Sequence, residues 1–312
     1  MTTYLDIESF FKKHFPTSAK EFSLKGIQKR ATKNLLGQNN TLCLMPTGGG
    51  KSLIYWLSGV ALGGTTVVIS PLKALIDEQC KKLRDHGLDV IALHSGIDTK
   101  SQYNRLIELY QETQIPDFIF VSPERIATDG FLEFVFKARK DQFKLIVVDE
   151  IHCVSQWGFD FRPFYKQIPS FLDNVFGSEW VPLLGLSATI NPNDKIEICR
   201  DFRIDESHVL TDEILLRLLI DLRVVKVKDE DEKDRLFWDV LENHRSEKIL
   251  IYVYRKEGKR SVEVLSQEAC SKGHKATYFH SGLSTQQKLD IINEFKGGEV
   301  NIVFATNAFG MG

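Results

Sequence analysis

Residues 41–56 read TLCLMPTGGGKSLIYW, and this stretch decides the fold. An apolar run of strand length gives way to three glycines and then to a helix-forming segment. With no Cβ in the way, the backbone N–H groups of Gly48, Gly49 and Gly50 can approach phosphate closely. The helix that follows points its positive N-terminal end at the same anion. Lys51 is placed to reach the β- and γ-phosphates, and the Ser52 hydroxyl to ligate Mg²⁺. The strict phosphate-loop pattern asks for glycine where Met45 stands, so the match is one residue short. The bland alternative is a structural glycine turn. The Gly-Lys-Ser triplet at a strand-to-helix junction favours phosphate.

A phosphate loop needs a metal-side carboxylate on a neighbouring strand. KLIVVDEIH (144–152) supplies one. Asp149, at the end of an apolar run, can hold Mg²⁺ through water, and Glu150 can polarise an attacking water. Alone, a strand-terminal Asp-Glu pair is ordinary surface capping. Beside the glycine loop it reads as half of an ATPase site.

Short β-branched runs recur through the chain at 41–45, 65–70, 89–93, 117–122, 144–150 and 182–189, then at 248–254, 275–280 and 300–306. Helix-like segments of roughly 10–15 residues separate them, which is the pattern of parallel sheets with helices on both faces. The expected class is α/β. The alternation lapses and charge accumulates between the two series, which places a domain boundary near residue 212, giving domains 1–211 and 212–312. The run KVKDEDEKDR (226–235) reads as a solvated connection into the next helix. No repeat of fixed period is visible.

A chain of 312 residues with 43% hydrophobic and 26% charged content is long enough for two ordinary domains. Its 40 basic and 42 acidic side chains leave a net charge of −2. That excludes a nucleic-acid binder announced by bulk charge, so any such binding must come from local groups in a groove. Five scattered cysteines without a C-x-x-C pair argue against a zinc site or a disulfide framework. His94, His280 and the other histidines lack metal-ligand spacing. Residues 53–70 are apolar enough to suggest a membrane span, but Gly59, Gly63 and Gly64 split them into a helix and a strand. The reading is a soluble protein of a reducing compartment, cytoplasmic or at the nucleoid or nucleus, without a membrane partner.

Directly after the carboxylates comes CVSQWGFDFRPFY (153–165), dense in rings and polar heads. Together with FSLKGIQKRA (22–31), MPTGGGKS (45–52), SPLKALIDEQ (70–79), VSPER (121–125), GLSAT (185–189), ILIYVY (249–254) and FHSGLS…VNIVFATNAFGMG (279–312), it resembles the RecQ-like DNA helicases of superfamily 2. The resemblance covers nearly the whole chain, with the motifs in the expected order. It implies two RecA-like P-loop domains, the second incomplete, and ATP-driven 3′-to-5′ unwinding of duplex DNA in repair, recombination or defence.

By the same resemblance Gln28 reads the adenine edge, and Thr47, Gly48, Gly49, Gly50, Lys51 and Ser52 hold the nucleotide. Lys51, Asp149, Glu150 and His152 form the catalytic set, with Mg²⁺ on Ser52 and Asp149. DNA contacts are implied at Ser70, Lys73, Gln156, Trp157, Phe159, Arg162 and Thr306. Rings such as Trp157 and Phe159 give stacking platforms for unpaired bases whatever their sequence. Gln156, Asp160 and Arg162 are relay candidates, and His152 the bridge between DNA and ATP. Phe164 and Tyr165 are read equally as DNA-facing or as core. Ser187 and Thr189 are expected to form an internal hydrogen-bond relay.

The sequence departs from the family pattern in three places. Lys25 and Gly26 replace an Arg-Pro pair before the adenine-reading glutamine, and Ile151 replaces the usual alanine. The motif Q-x-x-G-R-x-G-R, expected soon after AFGMG, is absent. Its arginine would reach the γ-phosphate, an effect worth ~10³ or more in related NTPases. The family's zinc-binding and winged-helix modules are absent too. The expectation is therefore either part of a longer polypeptide or a shortened protein with impaired turnover. Three rivals remain open at this stage: an RNA helicase, an ATP- and DNA-binding subunit serving a protein partner, and a translocase that does not separate strands.

Overall fold

The computed structural model describes residues 6–21, 23–113, 115–154, 163–212, 220–254, 258 and 260–310. The chain divides into two compact units, Met1–Leu219 and Ile220–Gly312.

In the first unit seven strands form one parallel sheet: β1 (Thr41–Leu44), β2 (Thr65–Ile69), β3 (Val90–Leu93), β4 (Phe118–Val121), β5 (Phe143–Val148), β6 (Leu183–Ser187) and β7 (Val209–Thr211). Their order is β3-β4-β2-β5-β6-β1-β7, with every neighbouring pair parallel. The strands are continuous apolar runs because both faces are covered. Alternate side chains feed two separate cores. Leu42, Leu44, Val67, Ile69, Ile146 and Val148 face one side; Cys43, Val68, Leu145, Val147, Leu184 and Leu186 face the other. A one-residue slip would exchange the two sets, so the register is fixed from both sides.

β7 is the strand that sequence reasoning missed. It pairs with β1, and the Asp212 N–H continues that ladder to the Leu44 carbonyl at 2.9 Å. Residues 53–70 resolve into the helix Lys51–Leu62 followed by β2. Among the described residues no helix is long and apolar enough to cross a membrane.

The second unit holds β8 (Ile249–Tyr252), β9 (Ala276–Phe279) and β10 (Ile302–Ala305), parallel and in the order β8-β10-β9. This repeats the β2-β4-β3 half of the first sheet. His94 follows β3 and His280 follows β9, each opening a His-Ser-Gly turn. The imidazole Nδ1 accepts the glycine N–H at 3.1 Å in both, from Gly96 and from Gly282. The other ring nitrogen meets a carboxylate 17 residues upstream, Asp77 at 3.1 Å and Glu263 at 2.9 Å. The preceding helix-to-strand turns carry Gly87 and Gly273, with φ of 80° and 85°. The sequence shows no period, yet the two units share one turn built from the same parts.

Candidate nucleotide-binding site

The carboxyl ends of β2, β5, β6 and β1, neighbours in the sheet, carry the chemistry. Open parallel sheets present their ligand sites along this edge.

The glycine loop begins one residue later than the strict pattern requires. Met45 is fully buried, and its N–H donates to the Ser187 carbonyl at 3.0 Å. It extends the β1–β6 ladder instead of turning, so glycine is not needed there. The turn starts at Pro46, whose carbonyl accepts the Gly49 N–H at 2.9 Å. A Cβ on Gly49 would lie 2.8 Å from that carbonyl. Gly48 and Gly50 take φ of 76° and 85°, a region that L side chains rarely adopt. Gly50 caps the helix Lys51–Leu62.

Gln28 braces this loop. It is 2% exposed; its Nε2 donates to the Gly50 carbonyl at 2.9 Å, and its Oε1 accepts the Lys25 N–H at 2.7 Å. One amide hydrogen and one lone pair are left over for a ligand edge. Lys25, where the family pattern has arginine, lies 4.0 Å from Asp212.

The Lys51 ammonium is buried and has no hydrogen-bond partner among the described residues. Glu150 Oε1 lies 3.8 Å away, close enough for attraction and too far for a hydrogen bond. A buried ammonium with donors unspent beside glycine amides is the donor set an anionic phosphate chain would satisfy. The residues present therefore fit a nucleotide.

Asp149 is nearly buried at the end of β5. Loss of water raises its pKa to about 6, with the Glu150 charge adding to the rise and Lys51 opposing it. Its Oδ2 accepts the Ser70 hydroxyl at 3.2 Å. A carboxylate held short of full satisfaction, next to a phosphate loop, fits a hard cation such as Mg²⁺. Ser52, the second residue of the helix Lys51–Leu62, carries the hydroxyl that the resemblance assigns to the same cation. Ser70 itself is 2% exposed; the resemblance had set it along a DNA groove, and the structure turns its hydroxyl to the carboxylate.

Glu150 adopts φ of 49°. Its second oxygen lies 3.3 Å from His152 Nδ1, and that nitrogen lies 3.0 Å from the Ser187 hydroxyl. Ser187 spends its own hydrogen on the Thr189 carbonyl at 2.9 Å. The imidazole Nδ1 must therefore carry the proton and donate, which fixes the tautomer. Lys51, Glu150, His152, Ser187 and Thr189 thus form one connected line from the phosphate loop to the end of β6. Ile151 fills the space over Gly185, where a Cβ would come within 2.8 Å of it. The departure from alanine is compensated by glycine on the next strand.

Thr47 and Gly48 lie exposed in the loop, and Lys73 is exposed at the start of the helix Lys73–Asp85 after β2. Arg125 is engaged by Asp129 one turn on. Thr306 belongs to the second unit, where its N–H extends the β10 ladder to the Phe279 carbonyl at 3.0 Å. Gln156, Trp157, Phe159, Asp160, Phe161 and Arg162 lie outside the described residues. Just beyond them, Phe164 is exposed and Tyr165 fully buried. The Tyr165 hydroxyl donates to the Asp149 carbonyl at 2.7 Å. Nothing in the sequence marked this bond, because a buried tyrosine near a strand end has no pattern of its own.

The profile of the DEAD/DEAH box helicase family matches residues 25–197, and that of the helicase conserved C-terminal domain matches 232–312. The chain is 32% identical to the ATP-dependent DNA helicase RecQ of Bacillus subtilis (strain 168), over 88% of this chain and 44% of that protein. It is 33% identical to the ATP-dependent DNA helicase hus2/rqh1 of Schizosaccharomyces pombe, over 94% of this chain and 22% of that one. It thus spans less than half of either relative. Among solved structures, Mycobacterium smegmatis helicase Lhr bound to ssDNA and AMP-PNP superposes with a TM-score of 0.64 at 18% identity, over 96% of this chain and 41% of that one. That likeness speaks for the fold alone.

Proposed function

Because the chain belongs to the DEAD/DEAH box helicase family, we propose that it is a RecQ-like, ATP-hydrolysing helicase acting on DNA. The observation that carries the ATP half is the buried, unspent Lys51 ammonium facing Glu150 beside the glycine loop. The DNA half is supported by the relatives, both DNA helicases by name.

In this reading Gln28 reads the base, the amides of Gly48–Gly50 and Lys51 hold the phosphates, and Ser52 and Asp149 hold Mg²⁺. The metal supplies charge neutralisation at the β- and γ-phosphates. Glu150 accepts a proton from the attacking water and is oriented by His152. Binding of phosphate draws Lys51 away from Glu150, which frees that carboxylate for the water. His152 passes the change to Ser187 and Thr189. The resemblance assigns Trp157 and Phe159 to stacking on unpaired bases, Gln156, Asp160 and Arg162 to relay, and Lys73 and Thr306 each to DNA contact. Unwinding proceeds 3′ to 5′ on duplex DNA in repair, recombination or defence.

The test is ATP hydrolysis by residues 1–312 alone, with single-stranded DNA and with RNA, against a Glu150→Gln background. Selective stimulation by DNA that Trp157→Ala removes is the expected result. Equal stimulation by RNA would return the RNA-helicase reading. Binding of ATP and DNA without turnover would make the chain a binding subunit.

A further inference from the structure

We propose that Tyr165 is a positioning residue for ATP hydrolysis: its hydroxyl fixes the peptide plane that sets the orientation of Glu150. The inference rests on the ATPase reading above and goes beyond it by giving a role in hydrolysis to a residue read only as DNA-facing or core.

The argument starts from the backbone around the two carboxylates. The Asp149 N–H donates to the Ile69 carbonyl on β2 at 2.9 Å. The Glu150 N–H donates to the Asp149 side chain at 3.1 Å, and the Glu150 carbonyl accepts the Cys153 N–H at 2.9 Å. Those bonds come from the sheet ladder or from the segment itself. The Asp149 carbonyl is held by a side chain from another turn, Tyr165 in Pro163–Gln167.

That carbonyl is the informative one. Glu150 is a non-glycine residue at φ of 49°, a conformation that persists only where its surroundings impose it. Rotation about φ of Glu150 swings the peptide plane joining it to Asp149, and the oxygen of that plane is the acceptor of the Tyr165 bond. Holding that oxygen restrains φ, because the plane cannot swing without breaking the bond. In this conformation the Glu150 carboxylate lies between Lys51 at 3.8 Å and His152 at 3.3 Å. Tyr165 is anchored, being 0% exposed and part of the same core as Ile151, Val154 and Ile168. In the chain its turn holds the last residues of the aromatic-rich stretch 153–165.

Tyr165→Phe keeps the ring that fills the core and removes only the donor. Steady-state hydrolysis with and without single-stranded DNA is measured in this variant, and again with Glu150→Gln already in place. Expected is a loss of kcat of about tenfold with KM for ATP inside about twofold, and a loss under about twofold in the Glu150→Gln background. An equal loss in both backgrounds, an effect on KM alone, or an unchanged kcat would overturn the proposal. If the unmodified chain hydrolyses ATP without responding to DNA, the DNA reading fails and the basal rate still tests Tyr165. A crystal structure of Tyr165→Phe reads the same point without turnover: Glu150 should leave positive φ, and its retention there would sink the idea.

Discussion

His152 Nδ1 donates to the Ser187 hydroxyl at 3.0 Å, joining the second residue after the Asp149–Glu150 pair to the end of the adjacent strand. Because Ser187 passes its own hydrogen to Thr189, the bond has one direction and one tautomer. Ser187→Ala removes the acceptor and leaves the phosphate loop intact. ATP turnover should fall about tenfold while KM for ATP stays within about twofold, the pattern of an interaction outside ground-state binding. Steady-state kinetics decides it; a rise in KM with kcat unchanged would place Ser187 in nucleotide binding instead.

Gly50→Ala should be damaging twice over. A Cβ there would sit 2.6 Å from Gln28 Nε2, at φ of 85°. The left-handed conformation alone costs about 1–2 kcal/mol for an L side chain. Both a lower Tm and weaker ATP binding are expected. Gly26→Ala is the control, since nothing lies within 4 Å of its added Cβ and it opens the helix Gly26–Leu36. That change should be neutral or mildly stabilising in thermal denaturation.

The α/β fold was legible because strands buried on both faces must be written as unbroken apolar runs, and all nine such runs became strands. β7 was not, because Val209–Thr211 is three residues long with charge on either side. The Gly-Lys-Ser loop and the Asp-Glu pair were readable because phosphate and metal chemistry admit few residue types. Connections between motifs were harder. The meeting of Ser70 with Asp149 depends on which strands are neighbours, and β2 lies beside β5 although much of the unit separates them in sequence. The twin histidine turns escaped notice because little beyond His-Ser-Gly and one glycine seven residues before it recurs, while the acid changes from Asp77 to Glu263 and the cap from Asp98 to Ser284.

Asp149 makes the metal-free protein less stable when ionised. Its pKa is raised from 3.8 to about 6, so its contribution to stability is present below about pH 4 and lost as pH rises through 6. In EDTA at pH 7.5, Asp149→Asn should therefore melt higher than the unmodified chain. The shift of about two pKa units corresponds to an upper bound of roughly 3 kcal/mol. The gap should close as pH falls from 7 to 4, with other carboxylates cancelling in the comparison. Mg²⁺ and ATP should reverse the order. A variant that melts lower at pH 7.5 in EDTA would mean that the ionised form is better satisfied than its surroundings imply.

The two histidine turns offer a test of the repeat. In each, Nδ1 accepts a glycine N–H, so the proton sits on Nε2 and is donated to Asp77 or Glu263. Leucine in place of either histidine would remove the acceptor of that glycine N–H; both glycines are exposed, so water can replace it and the loss is that of one ordinary hydrogen bond, about 0.5–1.5 kcal/mol. Asparagine, whose side-chain oxygen can accept the N–H two residues on, should recover part of it. The units have separate cores, so His94→Leu should lower a calorimetric transition belonging to the first and His280→Leu one belonging to the second. If leucine and asparagine were equally costly at both positions, the accepted glycine N–H would not be what the histidines supply.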